Sequence, residues 1–193
     1  MRILINPFDE AEQLVLKNGV WVLGIVKIRV FWPKKRQTVH YSGKEFVLFP
    51  LEQIVGTSTP SLPAIAIRAD SYGLSHEEAR KKIMQFASAL SWREGSEVEI
   101  IMWSGGNIPR SMGIMRNNQF TDYLDEDHLP LPREGSAKTA LAFYREGVSL
   151  DNPSYSFLSF YKAFSVAIEN PKQRGDWMNE NRDMLIINKH WID

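Results

Sequence analysis

The chain contains no cysteine. That absence excludes disulfides, thiolate zinc sites, iron–sulfur clusters and cysteine nucleophiles together, and it leaves the redox compartment open. There is also no surplus of charge: Lys plus Arg and Asp plus Glu number 23 each among 193 residues. The molecule as a whole therefore has no electrostatic bias toward nucleic acid or a membrane surface. Long apolar runs are missing as well, because charges interrupt every hydrophobic stretch before the roughly 18 residues that a spanning helix needs. Met1–Asn6 lacks the basic-then-apolar layout of a secretion signal, and no fixed-period repeat or low-complexity tract occurs. These absences predict a soluble, cytoplasmic protein with no membrane partner, no cofactor and no metal site. The length suits one generous domain or two small ones.

What is present predicts an α+β protein, mostly an antiparallel sheet with one packed helix. Arg2–Ile5 reads as a short edge strand or Asp9–Leu16 as a helical turn, without a decisive pattern. Over Val20–Trp32, Val26, Ile28 and Val30 alternate with Lys27, Arg29 and Phe31, the period of a half-buried strand. Thr38–Tyr41 and Glu45–Phe49 flank Ser42-Gly43 as a hairpin, and Ala64–Arg68 is a further strand. Ser75 with Glu78 three positions on opens a helix by the capping-box pattern, and Gly95 closes it. Ala79, Ile83, Phe86, Ala87 and Leu90 form its apolar stripe. Val98–Trp103 reads as a strand, Ser104-Gly105-Gly106-Asn107 as a turn and Arg110–Arg116 as the return strand.

The acids and prolines of 122–135 predict a linker between a sheet domain (1–121) and a short or truncated helical unit (136–193). Ser136 is placed to cap a helix over Ala137–Glu146, with Gly147 just past its end. A second helix starts near Pro153 and runs to about Glu169. Seven of the sixteen Phe and Tyr residues fall within Phe143–Phe164, and the apolar positions of the second helix point in nearly all directions. One short neighbour cannot hide them. Cover must come from the sheet domain, from Met184–Trp191, or from another subunit, so Tyr155, Phe157, Phe160, Tyr161 and Phe164 are the expected interface residues for self-association or a protein partner.

The strings Ala140–Gly147 (ALAFYREG) and Pro153–Lys162 (PSYSFLSFYK), with Glu78–Trp92 and Trp103–Arg110 upstream, resemble a family of bacterial proteins. These are the methylamine-utilisation protein J-like or ApeA-like proteins, grouped with the HEPN helical domains. The resemblance implies a helical bundle, often dimeric, and in some members a metal-independent endoribonuclease of toxin or antiviral defence systems. Those members use an Arg followed by His after four to six residues, the Arg steadying phosphate charge and the His moving a proton at the ribose hydroxyl. The corresponding pair here is Arg182 and His190, with seven residues between them and Arg174 as a further anion contact. The longer spacing points to a non-catalytic member.

Three other constellations stand out. Lys27, Arg29, Lys34, Lys35 and Arg36, with Phe31 and Trp32 among them, have the composition of a surface for RNA or single-stranded DNA. The competing reading is an edge strand protected by its charge. Asp122, Asp125, Asp127 and His128 carry oxygen and nitrogen ligands but lack the ordered spacing of a cation loop, which favours a solvated linker. Ser104–Asn107 with Arg110 could cradle an anion through its glycine N–H groups, though two glycines between strands more often make a turn. The favoured function is a non-catalytic binding or assembly module, against an endoribonuclease or a small-ligand sensor in a groove between sheet and helices.

Overall fold

The computed structural model describes residues 19–53, 60–106, 119–125 and 127–182. The chain divides into two compact units, Met1–Leu131 and Pro132–Asp193. Among the described residues no helix is long and apolar enough to cross a membrane. The segments Arg2–Ile5, Asp9–Leu16, Arg110–Arg116 and Met184–Trp191 lie outside the described residues.

The first unit is the expected α+β arrangement. Its strands are β1 (Trp21–Ile28), β2 (Phe31–Pro33), β3 (Gln37–Tyr41), β4 (Lys44–Phe49), β5 (Glu52–Gln53), β6 (Pro60–Ser61), β7 (Ala64–Arg68), β8 (Val98–Gly106) and β9 (Gln119–Thr121), and helix α1 spans His76–Glu94. Five of them form an antiparallel sheet in the order β3-β4-β7-β1-β8. A parallel pair β2–β9 and a small β5–β6 pair stand beside it.

β1 is buried without interruption from Trp21 to Val26, which a strand achieves only when both faces of the sheet are covered. Val22, Val26 and Ile28 meet Ile83, Phe86, Ala87 and Leu90 of α1 in one cluster. Trp21, Leu23 and Ile25 meet Phe49, Leu62, Ala64 and Ala66 in another. Each large side chain buried in this way contributes roughly 1.5–3 kcal/mol. Rings lock the larger cluster: Phe46 stacks on Phe86 at 5.0 Å between centroids, and Tyr41 meets Phe86 edge-on at 5.6 Å.

Local signals placed several elements. Ser42 and Gly43 both have positive φ (52° and 71°), the two-residue turn whose twist suits a hairpin. Ser75 accepts from the Glu78 N–H while the Glu78 carboxylate accepts from the Ser75 N–H, completing the capping box, and Gly95 ends α1 in the left-handed region.

Elsewhere the structure departs from the pattern. The run Val20–Trp32 is not one strand; it bends at Arg29-Val30, and β2 leaves the main sheet to pair with β9. Ser104-Gly105-Gly106 is not a turn, because β8 continues through it, with Gly105 opposite Val22. A Cβ on Gly105 would stand 2.5 Å from the Trp21 carbonyl oxygen, so only glycine permits this approach. Part of the expected linker packs on the first unit. Leu124 and Leu129 are buried in its core, the Gln37 amide both donates to and accepts from the Leu124 backbone (2.6 and 2.8 Å), and the Tyr41 hydroxyl donates to the Pro130 carbonyl. Gln37 and Tyr41 of β3, the outermost strand on that side, thus hold this strap.

The second unit contains α2 (Gly135–Ser149), α3 (Pro153–Ala167) and α4 (Pro171–Glu180). α2 begins after Glu134 rather than at a Ser136 cap, and it runs past Gly147 instead of stopping there. α3 and α4 start alike: Asn152 and Asn170 each accept two backbone N–H groups, and a proline fills the first turn.

Gly105→Ala should destabilise the protein by about 1–3 kcal/mol, because backbone rather than a movable side chain blocks the added methyl. Urea unfolding compared with Gly135→Ala, where a Cβ meets nothing, checks it; equal midpoints would refute the close-approach reading.

Candidate functional site

α3 carries the largest group of exposed rings. Its fifteen residues, PSYSFLSFYKAFSVA, include one charge, Lys162. Its sole buried member is Ser159, at 3% exposure, whereas Phe157 is 69%, Tyr155 62% and Tyr161 48% exposed, with Leu158 and Phe160 exposed too. Helical spacing explains the division. Ser156, Ser159 and Ala163 share one side (i, i+3, i+7), and Phe157, Leu158 and Tyr161 share the opposite one.

The small side faces α2. The Ser156 hydroxyl lies 2.9 Å from the carbonyls of both Gly147 and Leu150. A Cβ on Gly147 would stand 2.5 Å from the Phe160 ring. Gly147 is therefore a contact residue, not a helix stop. Tyr144 meets the same ring at 5.6 Å, and burial raises its hydroxyl pKa above the ordinary value. Lys162 leans over Phe143 at 5.5 Å, which holds the only charge of α3 away from the Phe157–Tyr161 face.

Of the five expected interface residues, Tyr155, Phe157, Phe160 and Tyr161 are exposed. Phe164 is half-buried, 5.2 Å from Trp177 of α4. Phe157 and Tyr161, one turn apart, stack on each other at 6.4 Å. α4 itself was not anticipated, although Asn170-Pro171 repeats the Asn152-Pro153 signal that marks α3. Arg174, a candidate anion contact, instead donates to the Ile168 and Glu169 carbonyls at the end of α3. Arg182 is exposed beyond α4, and His190 lies outside the described residues.

The basic and aromatic group of the first unit is divided between the interior and the surface. Trp32 is 0% exposed, with its indole N–H donating to the Phe49 carbonyl at 2.9 Å. Lys27 and Arg29 both bind Glu97, at 2.8 and 2.9 Å, and this carboxylate is 1% exposed. Lys27 also reaches Glu99. The hydrogen bond that Lys27 donates to Glu97, ahead of the neighbouring charges, raises the Lys27 pKa above its ordinary 10.5. Lys34 pairs with Asp122, whose own pKa is lowered by that bond. Arg36 covers the Phe49 ring, while Phe31 and Lys35 are exposed. Glu97 was not anticipated; its partners sit about 70 positions away, and no local period shows them.

The remaining candidates are also placed. Asp125 accepts from the Asp127 N–H in a local turn, and no group of three or more metal-ligating side chains occurs among the described residues. Ser104, Gly105 and Gly106 belong to the β1–β8 ladder rather than a loop that cradles an anion, while Asn107 and Arg110 lie outside the described residues.

Set beside known proteins, the carboxy-terminal stretch is the informative part. Residues 140–192 match the family described as methylamine utilization protein MauJ. The carboxy-terminal region is MauJ-like. The match begins within α2, takes in all of α3 and α4, and leaves the sheet unit outside it. No curated protein and no solved structure matches the chain.

Removing both cations from Glu97 (Lys27→Met with Arg29→Met) should cost about 3–5 kcal/mol, since a buried carboxylate is left without a partner. Adding Glu97→Gln to that double variant should restore much of it. Urea midpoints of the three proteins decide, and no rescue by Glu97→Gln would refute the charge-burial account. The Lys27 pKa is raised, so its stabilising contribution is complete below 10.5 and lost as pH climbs through the folded-state value. Thermal melts across the alkaline range should show this decline in the native chain and less of it in Lys27→Met.

Proposed function

We propose that the protein is a non-catalytic binding and assembly module whose docking surface for a protein partner is the aromatic face of α3. One observation carries this reading. α3 turns Ser156 and Ser159 inward and Phe157, Leu158 and Tyr161 outward, the reverse of the usual order for a helix in water. At about 200 Å² for each large side chain, the exposed parts of Phe157, Leu158 and Tyr161 amount to roughly 300 Å². That is the size of the largest apolar patch on an ordinary monomer, and such patches are often functional.

The MauJ match supports an accessory role, since the family's description names a process, methylamine utilization, and no reaction. The HEPN-like character and a defence- or toxin-type setting belong to the same proposal and rest on the resemblance of Ala140–Gly147 and Pro153–Lys162. An endoribonuclease is disfavoured by the seven residues that separate Arg182 from His190. An RNA surface along β1 and β2 is disfavoured by the burial of Trp32 and the commitment of Lys27 and Arg29 to Glu97.

A photo-reactive phenylalanine analogue at position 157, expressed in the producing cells, tests the reading. Discrete cross-linked adducts are expected there and not at exposed Arg133. Absence of adducts at 157, or cleavage of labelled RNA in EDTA that disappears in His190→Ala, would overturn it.

A further inference from the structure

We infer that the α3 face takes a proline-rich, extended segment of its protein partner, seated in the aromatic corner that Phe157, Leu158 and Tyr161 make with Trp177 of α4. This rests on the docking reading above and adds the chemistry of the partner.

α4 builds the corner. Phe157 and Tyr161 stack near-parallel, with 24° between their planes and 6.4 Å between centroids. Phe164, one i, i+3 step beyond Tyr161, is half-buried against Trp177 at 5.2 Å. The free part of the face therefore ends at Tyr161, and the Trp177 ring, 39% exposed, stands beyond it. Arg174 fixes this step by holding the Ile168 and Glu169 carbonyls.

Area selects a short segment. The roughly 300 Å² that Phe157, Leu158 and Tyr161 expose falls well short of the about 800 Å² that each partner gives to a stable interface between folded proteins. A second copy of the chain or a folded domain seated here alone is thus held too weakly. A linear segment needs less area when it is ordered before it binds, because little conformational freedom is then lost. A peptide helix of this reach is too short to be ordered in water, whereas a polyproline helix is ordered without any internal hydrogen bond.

Hydrogen bonding selects proline. The backbone of α3 is consumed within the helix, so the corner offers no ladder to an added strand. It offers two donors instead. Neither the Tyr161 hydroxyl nor the Trp177 indole N–H has a hydrogen-bond partner among the described residues, and both rings are exposed. Proline carries a carbonyl acceptor and no N–H. A run of prolines can therefore lie on the rings with no donor left unpaired and turn carbonyls toward these two groups, the match that aromatic-lined sites for polyproline segments use. Charge agrees with this choice. The single charged side chain of α3, Lys162, leans away over Phe143, and prolines bring no charge that asks for a partner.

Fluorescence anisotropy of a labelled decaproline peptide, titrated with the full chain, tests the inference. Saturable binding is expected, and a glycine–serine peptide of the same length should not bind. Phe157→Asp, which changes an exposed residue and should keep its helical circular dichroism, should raise the dissociation constant at least about tenfold. Tyr161→Phe and Trp177→Phe each keep a ring and remove a donor, and each should raise it about fivefold. Absence of decaproline binding overturns the inference, and so does equal binding of the glycine–serine peptide or an affinity unchanged in Phe157→Asp. Native affinity in both donor variants overturns the hydrogen-bond match and the choice of proline with it. A chain that dimerises in light scattering and loses the dimer in Phe157→Asp gives the face to a second copy instead. Protein adducts at position 157 without decaproline binding overturn the proline-rich partner and leave the docking reading in place, whereas absence of those adducts overturns the docking reading itself.

Discussion

Everything distinctive about the helical unit follows from how closely α2 and α3 approach at Gly147. A hydrogen in place of a side chain lets the Phe160 ring settle over the α2 backbone, and Ser156 then reaches the carbonyls at the end of α2. Contact through small residues draws backbones together but hides little apolar area. The helix cannot also turn Phe157, Leu158 and Tyr161 inward, because they lie on its opposite side. Two needs compete here, tight packing and ring burial, and the packing side prevails. Burying an aromatic ring is worth more than burying a serine, so the arrangement makes energetic sense once something else covers the rings.

The sheet unit resolves the same competition the other way. β1 is apolar on both faces: on one it packs against α1, and on the other Trp21, Leu23 and Ile25 cluster with Phe49, Leu62, Ala64 and Ala66. Where β1 ends, Lys27 and Arg29 alternate with Ile28 and Val30, and the two cations must leave the core. They converge on Glu97 just after α1, and Arg29 donates its backbone N–H to the Glu97 carbonyl as well. A carboxylate so enclosed holds its place only through those cations, which fixes the bend at Arg29-Val30 and sends β2 away to meet β9. Of the residues with the composition of a nucleic-acid surface, Lys27, Arg29 and Trp32 are thus engaged by the fold, while Phe31 and Lys35 stay exposed.

What the sequence made legible was local. The Ser42-Gly43 turn, the Ser75–Glu78 box, the Gly95 stop and the period of α1 are each decided by neighbours within a few positions, so they could be read from the string and appear in the structure. The ring-rich character of α3 was equally plain. The break after Ile28 was not, because Val30 and Trp32 continue the apolar alternation and are indeed buried; what differs is which sheet they join, a choice made by distant Glu97 and β9. Gly147 was misleading for a related reason. A glycine near a helix end has two uses, a left-handed stop or a close approach, and only the partner ring distinguishes them. The acidic strap is similar: its charges advertise a linker, while Leu124 and Leu129 among them serve the core.

On the proposed reading, an uncharged docking face also constrains how association would proceed. Charge complementarity mainly accelerates encounter and rejects wrong partners, and neither service is available to Phe157, Leu158 and Tyr161. On that reading selection would come from shape and from how firmly the helix is held. That places weight on the fixtures at its ends: the Asn152 cap at the start, and Arg174 of α4 gripping the last carbonyls at the finish. Those contacts touch no partner, yet they hold the spacing on which a shape-selected surface depends. The MauJ-like stretch spans α3, its following cap and α4 as a continuous piece, so the unit of similarity coincides with most of the mechanical unit that shape recognition requires.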